Sequence, residues 1–281
     1  MGKIGLVDVG GGFRGIYAAA VLDRCLDEGV TFDLCIGVSA GSANIASFVA
    51  HQKGRNYRFY TEYGRRSRYA SMRNFLFKHT FIDLDYVYAT LSNSDGEDPI
   101  DQETFFASPT EVIVVAANAN TGVARYFTKR DVSYDDFSIL KASSAIPGVC
   151  KPYQVQGTYY FDGALGDPVP VQKAFDKGCD KVVVLLTKPR DMVRTTDGDV
   201  RLASMICRRY PAAAQALRQR AARYNEGVAL AKRYERAGSV LIVAPDDTCG
   251  VSTLTRKRER LDALYAKGYG DGAVIKGFCM A

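Results

Sequence analysis

The first fifty residues constrain the fold most. Two short apolar runs, 3–9 and 33–38, each end in small residues and lead into a helical pattern. The first closes on Gly10-Gly11-Gly12; Ile16, Ala19, Ala20, Leu22, Cys25 and Leu26 follow at helical spacing up to Gly29, a suitable helix end. The second closes on Gly37-Val38-Ser39-Ala40-Gly41 and opens a helix over about 40–51. A strand–helix–strand–helix order implies parallel strands, because a helical crossover returns the chain in the same direction. The expected fold is therefore a three-layer α/β/α sandwich with a mostly parallel sheet. The chain has 281 residues, 47% hydrophobic and 24% charged, enough for a sizeable core. A fibre, a coiled coil and a disordered tail are excluded.

Further along, strands are expected at 111–117 and 123–127, flanking a hairpin loop at 118–122. A helix follows near 135–144, ending before Pro147. An extended segment at 153–161 ends in Asp162-Gly163, and a helix near 168–178 leads to a buried strand at 181–187. Residues 53–108 read as irregular, basic and aromatic. Residues 188–200 are polar and mark a boundary, giving a domain at 1–190 and a mainly helical extension at 191–281, packed on the first. In the extension, helix is expected at 201–237 with a break before Pro211, then a strand at 239–244 and a helix near 254–267.

Ser39 stands in a Gly-x-Ser-x-Gly turn between a strand and a helix. That is the logic of a nucleophile elbow: Gly37 and Gly41 relieve crowding while the turn lifts the hydroxyl out of the sheet. The bland alternative is Ser39 as a helix cap. Gly10, Gly12 and Gly15 satisfy G-x-G-x-x-G, so a dinucleotide site has to be weighed. That site needs an acid at the end of the second strand, and Ile36-Gly37-Val38-Ser39 supplies none; Asp33 lies at the other end. The glycine amides would serve equally as an oxyanion hole, with Arg14 holding the loop or meeting an anion. A serine nucleophile needs a base, and the chain has two histidines. His51 is 12 residues after Ser39, roughly 18 Å along a continuous helix and too far for direct transfer. His79 is not excluded by geometry, and a carboxylate is the economical choice. Asp162, before Gly163 and Ala164 at a strand end, is a candidate, although such an aspartate commonly only makes a turn. Both histidines precede Asp162, so the Ser–acid–His order of an ordinary α/β-hydrolase is absent.

Taken together, these motifs resemble the patatin-like phospholipase family. They run in order: Gly10-Gly11-Gly12-Phe13-Arg14-Gly15, Gly37-Val38-Ser39-Ala40-Gly41, Ala142-Ser143-Ser144-Ala145-Ile146-Pro147, and Asp162-Gly163-Ala164. The resemblance covers about residues 3–190, and the last 90 or so residues are similar to the extension of a bacterial branch. It implies a Ser39–Asp162 dyad, an oxyanion hole from the loop at Gly10–Gly15, and hydrolysis of fatty-acyl esters in lipids or lysophospholipids. One departure is that Val9, not an acid, directly precedes the triple glycine, with Asp8 one earlier. That leaves open a contact that braces the loop.

Between Lys53 and Lys78 eight basic residues face one acid, interleaved with aromatics. The segment reads as a basic face packed through its aromatics or as a lid meeting anionic membrane. A second basic stretch, 201–236, reads as an exposed helical face. No nucleic-acid-binding module is present, so no nucleic-acid partner is expected. Asp95, Glu97, Asp98 and Asp101 lack the spacing of a calcium loop, and neither a metal nor another cofactor is expected. No stretch reaches the roughly 18 apolar residues of a membrane span. The chain start reads as a strand rather than a signal peptide. Seven scattered cysteines suggest a reducing cytoplasm, with peripheral membrane contact left open. The leading expectation is a lipid acyl hydrolase. The alternatives are a catalytically silent lipid-binding or scaffolding protein and a nucleotide-binding protein.

Overall fold

The computed structural model describes residues 2–281; Met1, where the reading of the chain start begins, lies outside them. β1 (Ile4–Asp8) runs into α1 (Gly15–Asp27), and β2 (Leu34–Val38) into α2 (Ala40–Val49). Three short helices follow: α3 (Arg55–Thr61), α4 (Met72–Lys78) and α5 (Gln102–Ala107). β3 (Glu111–Asn118) and β4 (Ala124–Thr128) form a hairpin. After α6 (Ser138–Ser143) comes a second hairpin, β5 (Tyr153–Val155) with β6 (Thr158–Asp162). Then come α7 (Val171–Asp176), β7 (Lys181–Leu185), α8 (Asp197–Ile206), α9 (Pro211–Arg236), β8 (Val240–Val243), α10 (Arg258–Asp271) and α11 (Val274–Met280).

The eight strands form one sheet in the order β5-β6-β3-β2-β1-β7-β8, with β4 also on β3. The five strands from β3 to β8 are parallel, and β4, β5 and β6 are antiparallel. The central strands are apolar at almost every position because both faces are covered. Leu6, Cys35, Val114 and Val183 point to one side, into a core shared with α1, α2 and α10. Val7, Ile36, Ile113 and Val184 point to the other, against α7 and α9. The architecture is the expected three-layer α/β/α sandwich with a mostly parallel sheet.

Residues 191–281 share this sheet and core. β8 pairs with β7, and Leu261 and Leu264 of α10 pack in the same core as Ile16 and Leu22 of α1. The region 53–108 contains more helix than its pattern suggests. Its helices are only six or seven residues long, too short to display a periodic apolar face. The extended segment at 153–161 is a hairpin, turned at Gln156-Gly157. Among the described residues no helix is long and apolar enough to cross a membrane.

Candidate active site

The carboxyl ends of β1, β2 and β7 open on one cleft, the usual ligand-binding edge of a parallel sheet. β2 hands Ser39 to this edge through a sharp turn. Ser39 has φ 56° and ψ −129°, a conformation normally left to glycine. Its neighbours make the turn possible. A methyl group on Gly37 would sit 2.5 Å from Ser42 Cα, and one on Gly41 would sit 2.4 Å from the Asp8 carbonyl oxygen. Only glycine fits at either place, so the turn is set by close backbone approach as well as by torsion.

β6 brings Asp162 to the same place by register. Asp162 pairs with Ala116 of β3, and Val38 pairs with the preceding residue, Val115. β4 occupies the opposite edge of β3 at the same residues. β2 and β6 therefore meet end to end along a single edge, and Ser39 and Asp162 fall at the junction. Ser39 is 7% exposed and Asp162 3%. Burial drives the Asp162 pKa above the usual carboxylate range. The Ser39 hydroxyl, the Ala164 amide at 2.8 Å and the cations Arg220 and Arg194 each pull it back part of the way.

The segment 142–147 anchors both residues. The Ser143 hydroxyl accepts a hydrogen bond from the Ser39 amide at 2.9 Å. The Ala145 carbonyl accepts one from the Asp162 amide, also at 2.9 Å. Sequence reasoning placed this segment among the motifs but gave it no role.

The glycine loop after β1 lies beside Ser39. The Gly10 amide donates to the Asp8 carboxylate at 2.9 Å, and the Phe13 amide donates to the Thr253 carbonyl at 3.1 Å. Among the described residues the amides of Gly11 and Gly12 have no acceptor, and both glycines line the cleft with Ser39. Asp8 braces the loop from one residue before Val9, which resolves the question its placement raised. It is fully buried, with its second oxygen 2.9 Å from the Asn44 amide nitrogen. Burial pushes its pKa up to about 6 against these two donors. The Thr187 hydroxyl adds a bond to the Gly10 carbonyl from the end of β7. Arg14 reaches the Thr253 hydroxyl at 3.2 Å.

Two cavities meet at Ser39. One, of about 860 Å³ including its mouth, is walled by Phe13, Phe59, Tyr60, Leu84, Tyr88 and Leu91. The other, of about 970 Å³ including its mouth, contains Asp162, Arg14, Lys188, Arg194 and Arg220. Ser39, Gly12 and Thr253 border both. Neither histidine borders either cavity: His51 and His79 are exposed, at the ends of α2 and α4. Asp33, the acid at the wrong end for a dinucleotide, accepts from the Ile4 amide at 2.7 Å, before β2 begins. Among the described residues no group of three or more His, Cys, Asp or Glu gathers to hold a metal ion.

Part of the basic segment 53–78 is structural. Arg55 is buried, and donates to the Asp98 carbonyl and the Ser92 hydroxyl. Arg66 pairs with Glu97 at 2.6 Å, and Arg68 lies over the Tyr86 ring. In the second basic stretch most cations lie on the exposed face expected of it, and one does not. Arg220 of α9 is 9% exposed and binds Asp199. The signal was available: Arg220 falls on the apolar stripe of Ala213, Ala216, Leu217, Ala221 and Tyr224. Lys188, Arg194 and Thr253 carry no comparable signal in the sequence.

A family model described as patatin-like phospholipase matches residues 7–175, and one described as a domain of unknown function (DUF6363) matches residues 210–274. The uncharacterized protein YjjU of Escherichia coli is 32% identical over 200 residues, covering 69% of this chain and 54% of that protein. Lysophospholipase NTE1 of Debaryomyces hansenii is 26% identical over 193 residues, covering 65% of this chain and 12% of its relative. That of Saccharomyces cerevisiae is 24% identical over 180 residues, covering 64% and 10%. The chain thus spans about half the length of the bacterial relative and about a tenth of the fungal ones. Among solved structures, VipD from Legionella pneumophila superposes with a TM-score of 0.49 at 14% identity, covering 97% of this chain and 66% of that one. On the family-model match, which spans more than half of its residues, the chain belongs to the patatin-like phospholipase family.

Proposed function

We propose that this chain is a serine acyl hydrolase of lipid esters, of phospholipase or lysophospholipase type, working through a Ser39–Asp162 dyad. The observation that carries the reading is the junction of β2 and β6. It sets a serine in a strained, glycine-flanked turn against a buried carboxylate, beside two unpartnered amides. The names of the fungal relatives support the lysophospholipase variant.

The chemistry follows from the groups present. The acyl chain occupies the aromatic cavity, where burying each methylene is worth about 0.8 kcal/mol. The Ser39 Oγ bonds to the ester carbonyl carbon and its proton passes to Asp162. The amides of Gly11 and Gly12 hold the resulting oxyanion; a donor of this kind contributes about 2.7–4 kcal/mol to the transition state. The ester C–O bond breaks, and the departing alkoxide takes the proton from Asp162. Water then attacks the acyl-enzyme, losing its proton to Asp162, and Ser39 leaves with that proton restored. The raised Asp162 pKa suits this work, because a stronger carboxylate base accepts a hydroxyl proton more readily.

Membrane contact belongs to the same reading. Met72, Leu76 and Phe77 of α4 are exposed beside Arg73 and Lys78. The helix hangs between Tyr69 and Ile82, two residues of the aromatic cavity wall. An apolar tip with a basic flank, next to the acyl-chain cavity, suits contact with an anionic lipid surface.

A fluorophosphonate probe tests the dyad. It labels the wild type at Ser39; Ser39→Ala is neither labelled nor active, and Asp162→Asn loses activity on a short-chain ester. The double variant His51→Ala/His79→Ala keeps its activity and its acidic pH limb. Loss of activity in a folded histidine-free protein overturns the dyad in favour of a triad.

A further inference from the structure

The loop that carries the two free amides is tied at both ends. At its start the Asp8 carboxylate takes the Gly10 amide, and the Thr187 hydroxyl donates to the Gly10 carbonyl. At its far end the Phe13 amide donates to the Thr253 carbonyl at 3.1 Å, and Arg14 donates to the Thr253 hydroxyl at 3.2 Å. Gly11 and Gly12 lie between these ties. Thr253 also packs against the loop itself. A methyl group on Gly12 would sit 2.5 Å from the Thr253 carbonyl oxygen and 2.7 Å from its Cγ2. The loop therefore has no room to shift toward Thr253.

Thr253 belongs to a strap, residues 250–256, in the connection from β8 to α10. The strap forms no helix or strand of its own, and two arginines from other elements pin it. Arg260 of α10 donates to the Gly250 carbonyl at 3.0 Å, and Arg65, after α3, donates to the Arg256 carbonyl at 3.0 Å. These carbonyls stand three residues before and three residues after Thr253. Inside the strap the Ser252 amide donates to the Thr255 hydroxyl at 2.9 Å, and Val251 is buried in the same core as Leu261 and Leu264. The Arg256 guanidinium reaches the Ala70 carbonyl at 3.3 Å. The neighbouring Tyr69 ring meets the Phe13 ring edge-on, with centroids 5.8 Å apart, in the wall of the aromatic cavity. Glycine loop, strap and cavity wall thus close into one ring of contacts.

We propose that Thr253 is a positioning residue for the oxyanion hole, and that the strap holds the Gly11 and Gly12 amides where the oxyanion forms. The proposal rests on the hydrolase reading and gives the C-terminal part of the chain a role in it. Thr253 lies within residues 210–274, matched by the domain of unknown function, and beyond residue 175, where the patatin-like match ends. The physical reason is preorganisation. An amide stabilises an oxyanion fully only when it is already in place as the charge develops. Gly11 and Gly12 have φ of 132° and 62°, in backbone that glycine leaves soft, so a single anchor at Asp8 would leave the donors on a pliable arm. The second anchor at Phe13 removes that freedom. By taking the Phe13 amide, the Thr253 carbonyl also decides which donors stay free: those of Gly11 and Gly12.

The test loosens the strap without touching either cavity. Arg65→Gln/Arg260→Gln removes both pins; the two side chains are exposed, and neither borders a cavity. On a short-chain soluble ester kcat falls roughly tenfold while KM changes by less than about twofold, because the lost contact is one made in the transition state. Fluorophosphonate labelling slows by a similar factor, and hydrogen exchange at the Phe13 amide, followed by NMR, quickens. Thr253→Val lowers kcat by a smaller factor, because it removes the hydroxyl and keeps the carbonyl, and Thr253→Ser recovers most of that loss. Faster exchange at Phe13 with kcat unchanged overturns the positioning role. Unchanged exchange at Phe13 overturns the clamp, and a rise in KM alone shows a contact with substrate instead. If the double variant does not fold, the Thr253 pair decides, and Thr253→Val at the wild-type kcat overturns the proposal. A wild type that hydrolyses no ester and takes no fluorophosphonate label overturns the hydrolase reading, while exchange at Phe13 still reports on the clamp.

Discussion

Replacing Ser39 with glycine or with alanine separates the strain of the turn from the chemistry it serves. Both changes remove the hydroxyl, so both are expected to be inactive, and both cost Asp162 the same hydrogen bond. They differ in the backbone. At φ 56° and ψ −129° alanine keeps its Cβ in a region that non-glycine residues pay about 1–3 kcal/mol to occupy. Glycine releases that strain but loses about 0.5–1 kcal/mol through its freer unfolded chain. The net expectation is that Ser39→Gly is more stable than Ser39→Ala by about 0.5–2 kcal/mol. For a chain of 281 residues this corresponds to a melting difference of roughly 1–3 °C, so denaturant midpoints are the sharper assay. If alanine proves equal to or more stable than glycine, the turn is unstrained, and the elbow argument for Ser39 loses its physical basis.

Three further outcomes follow from the same geometry. Arg194 is one of the charges holding the Asp162 pKa down, so Arg194→Gln is expected to move the acidic limb of kcat/KM on a neutral soluble ester to higher pH; a limb that stays or moves down refutes the coupling. Asp8 has a folded pKa of about 6 against an ordinary 3.8, so its contribution to stability is present at low pH and lost as pH rises through that window. Measured against Asp8→Asn, the wild type is expected to lose about 3 kcal/mol between roughly pH 4 and 7 by chemical denaturation, and a flat difference overturns this account. Ala43 lines the aromatic cavity beside Ser39, so Ala43→Phe is expected to shift the preference to shorter acyl chains in a chain-length series; an unchanged profile moves the acyl chain elsewhere.

The sequence by itself determined the layers and the glycine-flanked turn at Ser39. Apolar runs covered on both faces, each followed by a helix, admit little but a parallel sheet between helices. Gly37, Ser39 and Gly41 lie within five residues, and a motif that local can be read before any distant packing is known. Asp162 is another case, because an aspartate before glycine at a strand end makes a turn in most settings. Only the register of β2 and β6 on β3 set it against Ser39. Tertiary structure alone decided the rest of the site. The Ser143 hydroxyl under the Ser39 amide, the Thr253 carbonyl taking the Phe13 amide, and Arg194 beside Asp162 join residues far apart in sequence. No local pattern records such contacts. A hydrogen bond or a charge in a cleft depends on distance in space, and the chain order constrains that distance only through the fold.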